Sequence, residues 1–178
     1  MAFRRIISLL AALLLLLTGT AFAEANEEPI IYDVTDYFDT ISDLDLSPYK
    51  GKIITLFFYT CSDPEAQATL PMWKLIHDDF DPDELAIVLV HAWDGEGQEE
   101  SDAAIAQYHL EDLIIYEDED CSLCRQLNLS EYPNILILDQ EGTPASGYGG
   151  QLSYPTMAQV LVNLGVTQLQ DSYSVPAK

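Results

Sequence analysis

The feature that most constrains the fold is an uninterrupted apolar run, Ile53-Ile54-Thr55-Leu56-Phe57-Phe58. The run is rich in strand-forming residues and does not alternate with polar side chains, which predicts a strand buried on both faces. Such a strand needs a layer of structure on each side of its sheet. The run therefore favours an α/β domain in which helices cover both faces of a central sheet.

After this run, successive segments of the chain have apolar residues at helical spacing and then in short continuous runs typical of strands. Residues 64–80 have helical spacing, with one apolar stripe that comprises Ala66, Leu70, Trp73, His77 and Phe80. We expect Pro71 to kink this helix and Asp81-Pro82 to end it. Further strands are predicted at Leu85–Val90, Leu113–Tyr116 and Ile135–Leu138, and further helices from Ser101 to about His109, from near Cys121, and from Ser153 to Gly165.

A hairpin turn is predicted at Asp139-Gln140-Glu141-Gly142, followed by a weaker fifth strand. The resulting order is β-α-β-α-β-α-β-β-α. Early strands separated by helices pair in parallel, and the late hairpin adds antiparallel pairing. The sequence thus predicts a mixed sheet flanked by helices, within one domain at residues 41–168 and followed by a short tail at 169–178.

The first residues are typical of an export signal. Arg4 and Arg5 precede an apolar run, Ile6–Leu17, and the segment closes on Ala21-Phe22-Ala23. Because 12 apolar residues are fewer than a membrane span needs, we expect a signal peptide at 1–23 that is removed, rather than a retained anchor. An acidic leader at 24–40 follows, and the protein is expected in the periplasm or outside the cell.

The chain is strongly acidic. Its net charge is −23, and residues 1–23 hold two of the seven basic residues and none of the 30 acidic ones. The remaining chain therefore has five basic residues against 30 acidic ones. Such a surface repels nucleic acid and anionic membranes, which argues against both as partners.

Four segments stand out within this order of elements: Leu46–Lys52, Phe57-Phe58-Tyr59, Tyr132-Pro133-Asn134 and Asp139–Gly142. With these segments in this order, the chain resembles the exported thioredoxin-like proteins of the TlpA/ResA kind and, more distantly, the peroxiredoxins. The resemblance implies a thioredoxin-like fold over roughly residues 40–165. It also implies that Pro133 is a cis-proline and that Tyr132 and Pro133 line a groove for an extended peptide.

The sequence departs from this family at the active site. The family carries Cys-x-x-Cys at the start of its first long helix, with a helix-kinking proline eight residues after the first cysteine. Counting back from Pro71 reaches Asp63, so that Asp63-Pro64-Glu65-Ala66 replaces the dithiol. A shift of two residues would instead make Cys61 the first residue of the motif, and we favour the unshifted alignment.

Cys61 is a candidate catalytic residue. It follows the first core strand and precedes the helix, at the sheet edge where open α/β folds place their sites. A thiolate near a helix N-terminus is also stabilised by the helix dipole. The alternative is a small buried residue at the end of a strand.

Cys121 and Cys124 form a Cys-x-x-Cys pair, and they are the other candidate catalytic residues. Glu117-Asp118-Glu119-Asp120 precedes the pair, and these carboxylates should raise the pKa of its thiols. The pair could be a redox-active dithiol or a fixed structural disulfide. A further hypothesis makes Cys61 a peroxidatic thiol that Cys121 or Cys124 resolves, because the resemblance places the cis-proline loop beside the first helix.

No metal site or cofactor is predicted. A structural zinc site needs four ligands, and the spacing of His91 and His109 supplies none to complete the cysteine pair. The sequence also lacks a phosphate-binding or dinucleotide glycine motif. A separate hypothesis places calcium at a group of oxygen donors, although their spacing does not match an EF-hand loop: Asp94, Glu96, Glu99, Glu100 and Asp102.

Two functions are consistent with these residues. The first is thiol–disulfide exchange, or peroxide-linked thiol chemistry, on protein thiols or disulfides through Cys61, the cysteine pair, or both. The second is a redox-silent thioredoxin-fold module that binds a partner protein or an extended peptide. Retention of a Cys-x-x-Cys beside the expected groove favours the first, and loss of the usual dithiol favours the second.

Overall fold

The computed structural model describes residues 44–169. The predicted export signal, the acidic leader and almost all of the C-terminal tail lie outside these residues. A short 3₁₀ helix at Ser47–Tyr49 leads into the domain. The strands are β1 (Ile53–Tyr59), β2 (Leu85–Ala92), β3 (Ile114–Asp118), β4 (Asn134–Leu138) and β5 (Pro144–Gly149), and the helices are α1 (Pro64–Asp79), α2 (Gln98–Tyr108), α3 (Ser122–Gln126) and α4 (Tyr154–Asn163).

The five strands form one mixed sheet in the order β3-β2-β1-β4-β5. The strands β1, β2 and β3 are parallel, whereas β4 pairs antiparallel with both β1 and β5. The predicted α/β class and element order are confirmed. The fully buried β1 lies at the centre of the sheet, as its continuous apolar run predicts.

Alternation along the strands divides the core into two layers. On what we call the α1 face, Phe57 and Tyr59 of β1 pack with side chains of α1, α2 and α4. On the opposite face, here the α3 face, Leu56 and Phe58 pack with side chains of α3. Successive residues of a strand point to opposite sides, so the position of a residue in its strand decides which face it serves.

Three predicted boundaries that concern residues of the candidate site are wrong. Strand β2 continues past Val90 to Ala92 and so includes His91. Helix α2 begins at Gln98 and not at Ser101, because Gly97 is its N-cap and the Glu100 carboxylate accepts the Gly97 amide at 3.0 Å. Ser101 is instead buried inside the helix. Strand β3 continues past Tyr116, because Glu117 and Asp118 pair in register with the end of β2.

Within residues 44–169, every helix is too short or too polar to cross a lipid bilayer.

Candidate functional site

Cys61 lies just beyond β1, on the short link to α1. Its side chain packs within the α1-face core, and the residue is 8% exposed. Its amide donates a hydrogen bond to Glu96 Oε2 at 2.6 Å, and the Ser62 amide donates to the other oxygen of the same carboxylate. The Gln67 side-chain amide donates to the Cys61 carbonyl. These contacts fix the backbone that carries the thiol.

Asp63 is the N-cap of α1. Its Oδ1 accepts the amides of Glu65 and Ala66, each at 2.8 Å, which satisfies two donors that have no partner within the helix. The structure therefore places a carboxylate at the helix start where the resemblance puts the first cysteine. Cys61 lies two residues before this cap.

His91 lies near the carboxyl end of β2 and is fully buried. Its Nδ1 is 2.8 Å from Glu117 Oε2, and its Nε2 is 3.0 Å from Glu96 Oε2. A ligand-type atom from each of Cys61, His91 and Glu96 lies within 4.8 Å of the other two. The structure thus groups a thiol, an imidazole and two carboxylates in one buried cluster, here called the Cys61 cluster.

The Glu117 carboxylate is held on several sides. Trp93 Nε1 donates to its Oε2 at 2.7 Å, and Ser101 Oγ donates to its Oε1 at 2.6 Å. The Tyr59 hydroxyl lies 3.5 Å from Ser101 Oγ, which extends the network to β1. Each oxygen of the carboxylate therefore has a directed donor, and Glu117 is positioned to orient the imidazole of His91.

The pKa values of the cluster reflect burial opposed by these hydrogen bonds. Burial alone would lower the pKa of His91, but hydrogen bonds with Cys61, Glu117 and Glu96 outweigh it and raise the pKa to about 10. Burial would raise the pKa of Glu96 and of Glu117, and their hydrogen bonds with His91 and neighbouring donors lower both instead. At neutral pH the cluster thus holds an imidazolium between two carboxylates.

A cavity of about 350 Å³ adjoins Cys61. We call it the Cys61 cavity, and its lining includes Cys61, Ser62, Gln67, Glu96, Ala104 and Tyr108. A small molecule in this cavity would contact the Cys61 cluster directly.

A second, wider groove of about 700 Å³ runs beside the N-terminus of α1. Asp63 and Glu65 line one side, and Glu131 and Tyr132 line the other. The Tyr132–Pro133 peptide bond is cis. Cys61 is not among the lining residues, so the groove that the resemblance assigns to a peptide passes an aspartate instead of a thiol.

Cys121 and Cys124 lie elsewhere. Cys124 is buried in the α3-face core and Cys121 packs against that core. All three cysteines are free. The hypothesis that Cys121 or Cys124 resolves an oxidised Cys61 is therefore not supported, because the Cys61 thiol belongs to the core layer on the other side of the sheet.

The thiols of this pair are poorly ionised, as predicted, but the cause differs. Burial is the largest influence and raises the pKa of Cys124 to about 12; it also raises the pKa of Cys121, with the Asp118 charge adding to it. Asp118 is buried and accepts the amides of Leu123 at 3.1 Å and Cys124 at 3.0 Å. Glu117, which the sequence analysis placed among the carboxylates around the pair, contacts His91 on the opposite face.

The sequence does not identify His91, Glu96 and Glu117 as one group. They are far apart along the chain and have no ligand-type spacing, because they come from β2, the β2–α2 loop and β3. One sequence signal could have identified two of them, because His91 and Glu117 are polar residues that directly follow the apolar strands predicted at Leu85–Val90 and Leu113–Tyr116. The calcium hypothesis is not supported either, because Glu96 binds Cys61 and His91 while Glu100 caps α2.

No protein-family model and no curated protein sequence matches this chain. Solved structures do match it. A secreted Mycobacterium tuberculosis disulfide oxidoreductase homologous to E. coli DsbE is 15% identical with a TM-score of 0.59, and the match covers 67% of this chain and 87% of that chain.

Two further matches come from other bacteria. A thiol-disulfide isomerase from Corynebacterium glutamicum is 17% identical with a TM-score of 0.61, over 78% of this chain and 96% of that chain. The exposed lipoprotein thioredoxin of Streptococcus pneumoniae is 22% identical with a TM-score of 0.58, over 66% and 88%. On this evidence, joined to its strand order and pairing, the chain has the thioredoxin-like fold.

Proposed function

We propose that the chain is an extracytoplasmic thioredoxin-fold protein in which Cys61 alone carries thiol–disulfide exchange. The observation that carries the proposal is the buried contact group of Cys61 with His91 and Glu96, at the carboxyl ends of β1 and β2. Sites of open α/β folds lie at this edge of the sheet. The predicted export signal would deliver the protein to a compartment where disulfides persist.

The chemistry needs one thiol of the protein and a disulfide substrate. The Cys61 thiolate attacks one sulfur of R–S–S–R′, the new Sγ–S bond forms as the substrate S–S bond breaks, and R′S⁻ leaves and takes up a proton. Solvent supplies this proton. A second thiol, R″SH, then attacks the mixed disulfide, releases R–S–S–R″ and restores Cys61.

The resolving thiol must come from a second molecule. Cys121 and Cys124 lie on the α3 face, and their raised pKa values make them weak nucleophiles at neutral pH. Asp63 occupies the helix N-cap, so no neighbouring thiol is present there either. A monothiol cycle with protein thiols or a small thiol as the external partner fits this arrangement.

Glutathione disulfide provides the test. We expect the reduced protein to form one mixed disulfide, which mass mapping locates at Cys61. Cys61→Ser should abolish this adduct, and Cys121→Ser/Cys124→Ser should retain it, since the double variant leaves the Cys61 cluster intact. Hydrogen peroxide serves as a second oxidant and would yield a sulfenic acid at the same residue.

The proposal fails if the adduct forms on Cys121 or Cys124, or if Cys61 in the folded protein reacts with neither oxidant. Circular dichroism of each variant separates lost chemistry from lost folding.

Docking of a partner is the second candidate function, and the Asp63 cap favours it. A carboxylate replaces the thiol beside the groove lined by Tyr132, so a peptide could bind there without reacting. Under this alternative, a variant with all three cysteines replaced by serine binds its partner with unchanged affinity. Loss of binding in that folded variant would exclude it.

A further inference from the structure

We propose that Cys61, His91 and Glu96 form a zinc site with one position open to the Cys61 cavity. This goes beyond the proposed redox function, because it assigns metal binding to residues that were so far assigned only thiol–disulfide exchange. The three side chains supply a sulfur, a nitrogen and an oxygen, and these atoms all lie within 4.8 Å of one another. In a tetrahedral zinc site, bond lengths of 2.0–2.3 Å place neighbouring ligand atoms about 3.3–3.6 Å apart. Small movements of these three side chains would therefore bring their ligand atoms to bonding distance of one zinc ion.

The contact between His91 and Glu117 matches that of a metal-binding histidine with its supporting carboxylate. Such a histidine commonly donates its other ring N–H to a carboxylate, which fixes the orientation of the ring. Here Nδ1 lies 2.8 Å from Glu117 Oε2 while Nε2 faces Glu96. Glu117 is itself held by Trp93 and Ser101. The imidazole is thus oriented with Nε2 as the ligand atom.

Burial and charge also favour a cation. His91 is fully buried, and the side chain of Glu96 is only 8% exposed. Two carboxylates, from Glu96 and Glu117, converge on this one imidazole. A divalent ion at Nε2 would replace the proton that His91 shares with Glu96 and would leave Glu117 paired with Nδ1–H.

The ligand types select the metal. A thiolate with an imidazole and one carboxylate suits zinc, a borderline-soft ion, whereas calcium and magnesium take oxygen ligands. Three protein ligands and an open fourth position are the pattern of reactive zinc sites, as opposed to closed structural ones. The fourth ligand would enter from the Cys61 cavity, as water or as a small thiol.

The proposal is tested by titrating the reduced protein with cobalt(II), which reports on zinc sites, and then displacing the cobalt with zinc. We expect one ion per chain, tetrahedral ligand-field bands and a thiolate-to-cobalt charge-transfer band. Cys61→Ser should remove the charge-transfer band. Cys121→Ser/Cys124→Ser should leave both the spectrum and the affinity unchanged. Glu96→Gln should weaken binding while the protein stays folded, because it removes a ligand charge and preserves the side-chain shape.

Glu117→Gln tests whether this carboxylate supports metal binding through His91, and circular dichroism confirms that the variant is folded before the titration. The variant keeps all three ligands and should lower zinc affinity about tenfold or more. The proposal is overturned if cobalt does not bind, if the charge-transfer band survives in Cys61→Ser, or if the cysteine-pair double variant loses it. Zinc should also protect Cys61 from alkylation. A protein that exchanges disulfides at Cys61 without binding zinc would leave the proposed function standing and refute this inference alone.

Discussion

His91 and Glu117 are register partners on the parallel strands β2 and β3, and His91 Nδ1 lies 2.8 Å from Glu117 Oε2. Because paired residues of neighbouring strands point to the same side, this register aims both side chains at the α1 face. Cys61 belongs to the same face. The backbone pairing of the sheet therefore decides which acidic residue of Glu117-Asp118-Glu119-Asp120 meets the histidine.

Replacing that carboxylate tests its contribution to stability. Glu117→Gln should lower the free energy of unfolding by about 1.5–3 kcal/mol, the range for hydrogen bonds that involve a charged group. Urea denaturation measures the loss. Glu119→Gln is the matched control, because Glu119 is exposed, and it should have little effect. Equal effects from the two variants would argue against a directed role for Glu117.

The N-cap of α1 can be tested in the same way. Asp63→Ala should destabilise the protein by about 1 kcal/mol, because the Glu65 and Ala66 amides lose their acceptor. Asp63→Asn keeps an oxygen at the same place and should cost less. Thermal or urea unfolding of the two variants checks this. If the two changes cost the same, the capping oxygen is not the source of the stability.

Alkylation rates should distinguish the buried cysteine of the pair. Burial raises the pKa of Cys124 to about 12, so its thiolate is scarce at neutral pH. We expect iodoacetamide to modify Cys124 very slowly at pH 8 and about tenfold faster for each pH unit up to pH 11, provided that the fold persists. Mass spectrometry of timed samples gives the rate for each cysteine. Fast modification of Cys124 at pH 8 in folded protein would contradict this environment.

The alignment at the start of α1 predicts where a dithiol could be rebuilt. Asp63 is the N-cap and Ala66 lies three residues on, so Asp63→Cys/Ala66→Cys places two thiols across the first helical turn. Mild oxidation should then remove two thiols from the total, as measured with a thiol reagent before and after reduction.

The control for this design uses the native Cys61. Pro64→Cys has the same spacing from Cys61, but Cys61 is buried before the helix and Pro64 is exposed at its start. We expect no bridge between them. A disulfide in Pro64→Cys, and none in the double variant, would favour the alignment shifted by two residues.

Much of the fold follows from local pattern. The apolar run of β1, the helical stripe of α1 and the turn at Gly142 each specify one conformation, and the structure contains all three. The start of α2 could not be predicted from local pattern. Ser101 has the properties of an N-cap, but it lies inside the helix and donates a hydrogen bond to Glu117. That contact joins residues 16 positions apart and leaves no periodic signal.

The candidate site was harder to predict than the fold. Cys61 could be identified from its place after a buried strand, and Asp63 from its distance to Pro71. The partners of Cys61 could not be identified in this way, because His91, Glu96 and Glu117 come together only through strand register and one loop. Patterns along the chain relate residues that are close in sequence, whereas this site combines residues from three strands and one loop.

The placement of cysteines on opposite faces of the sheet also has a kinetic consequence. A thioredoxin-like protein with two adjacent thiols can discharge a mixed disulfide internally, at a rate independent of concentration. Here Cys61 belongs to the core layer on one face of the sheet, and the Cys121–Cys124 pair belongs to the layer on the other face. Under the proposed exchange at Cys61, release of the substrate is bimolecular, so the concentration of the second thiol sets the lifetime of the mixed disulfide. The mixed disulfide with the substrate would persist where free thiols are scarce and would be released quickly where they are abundant.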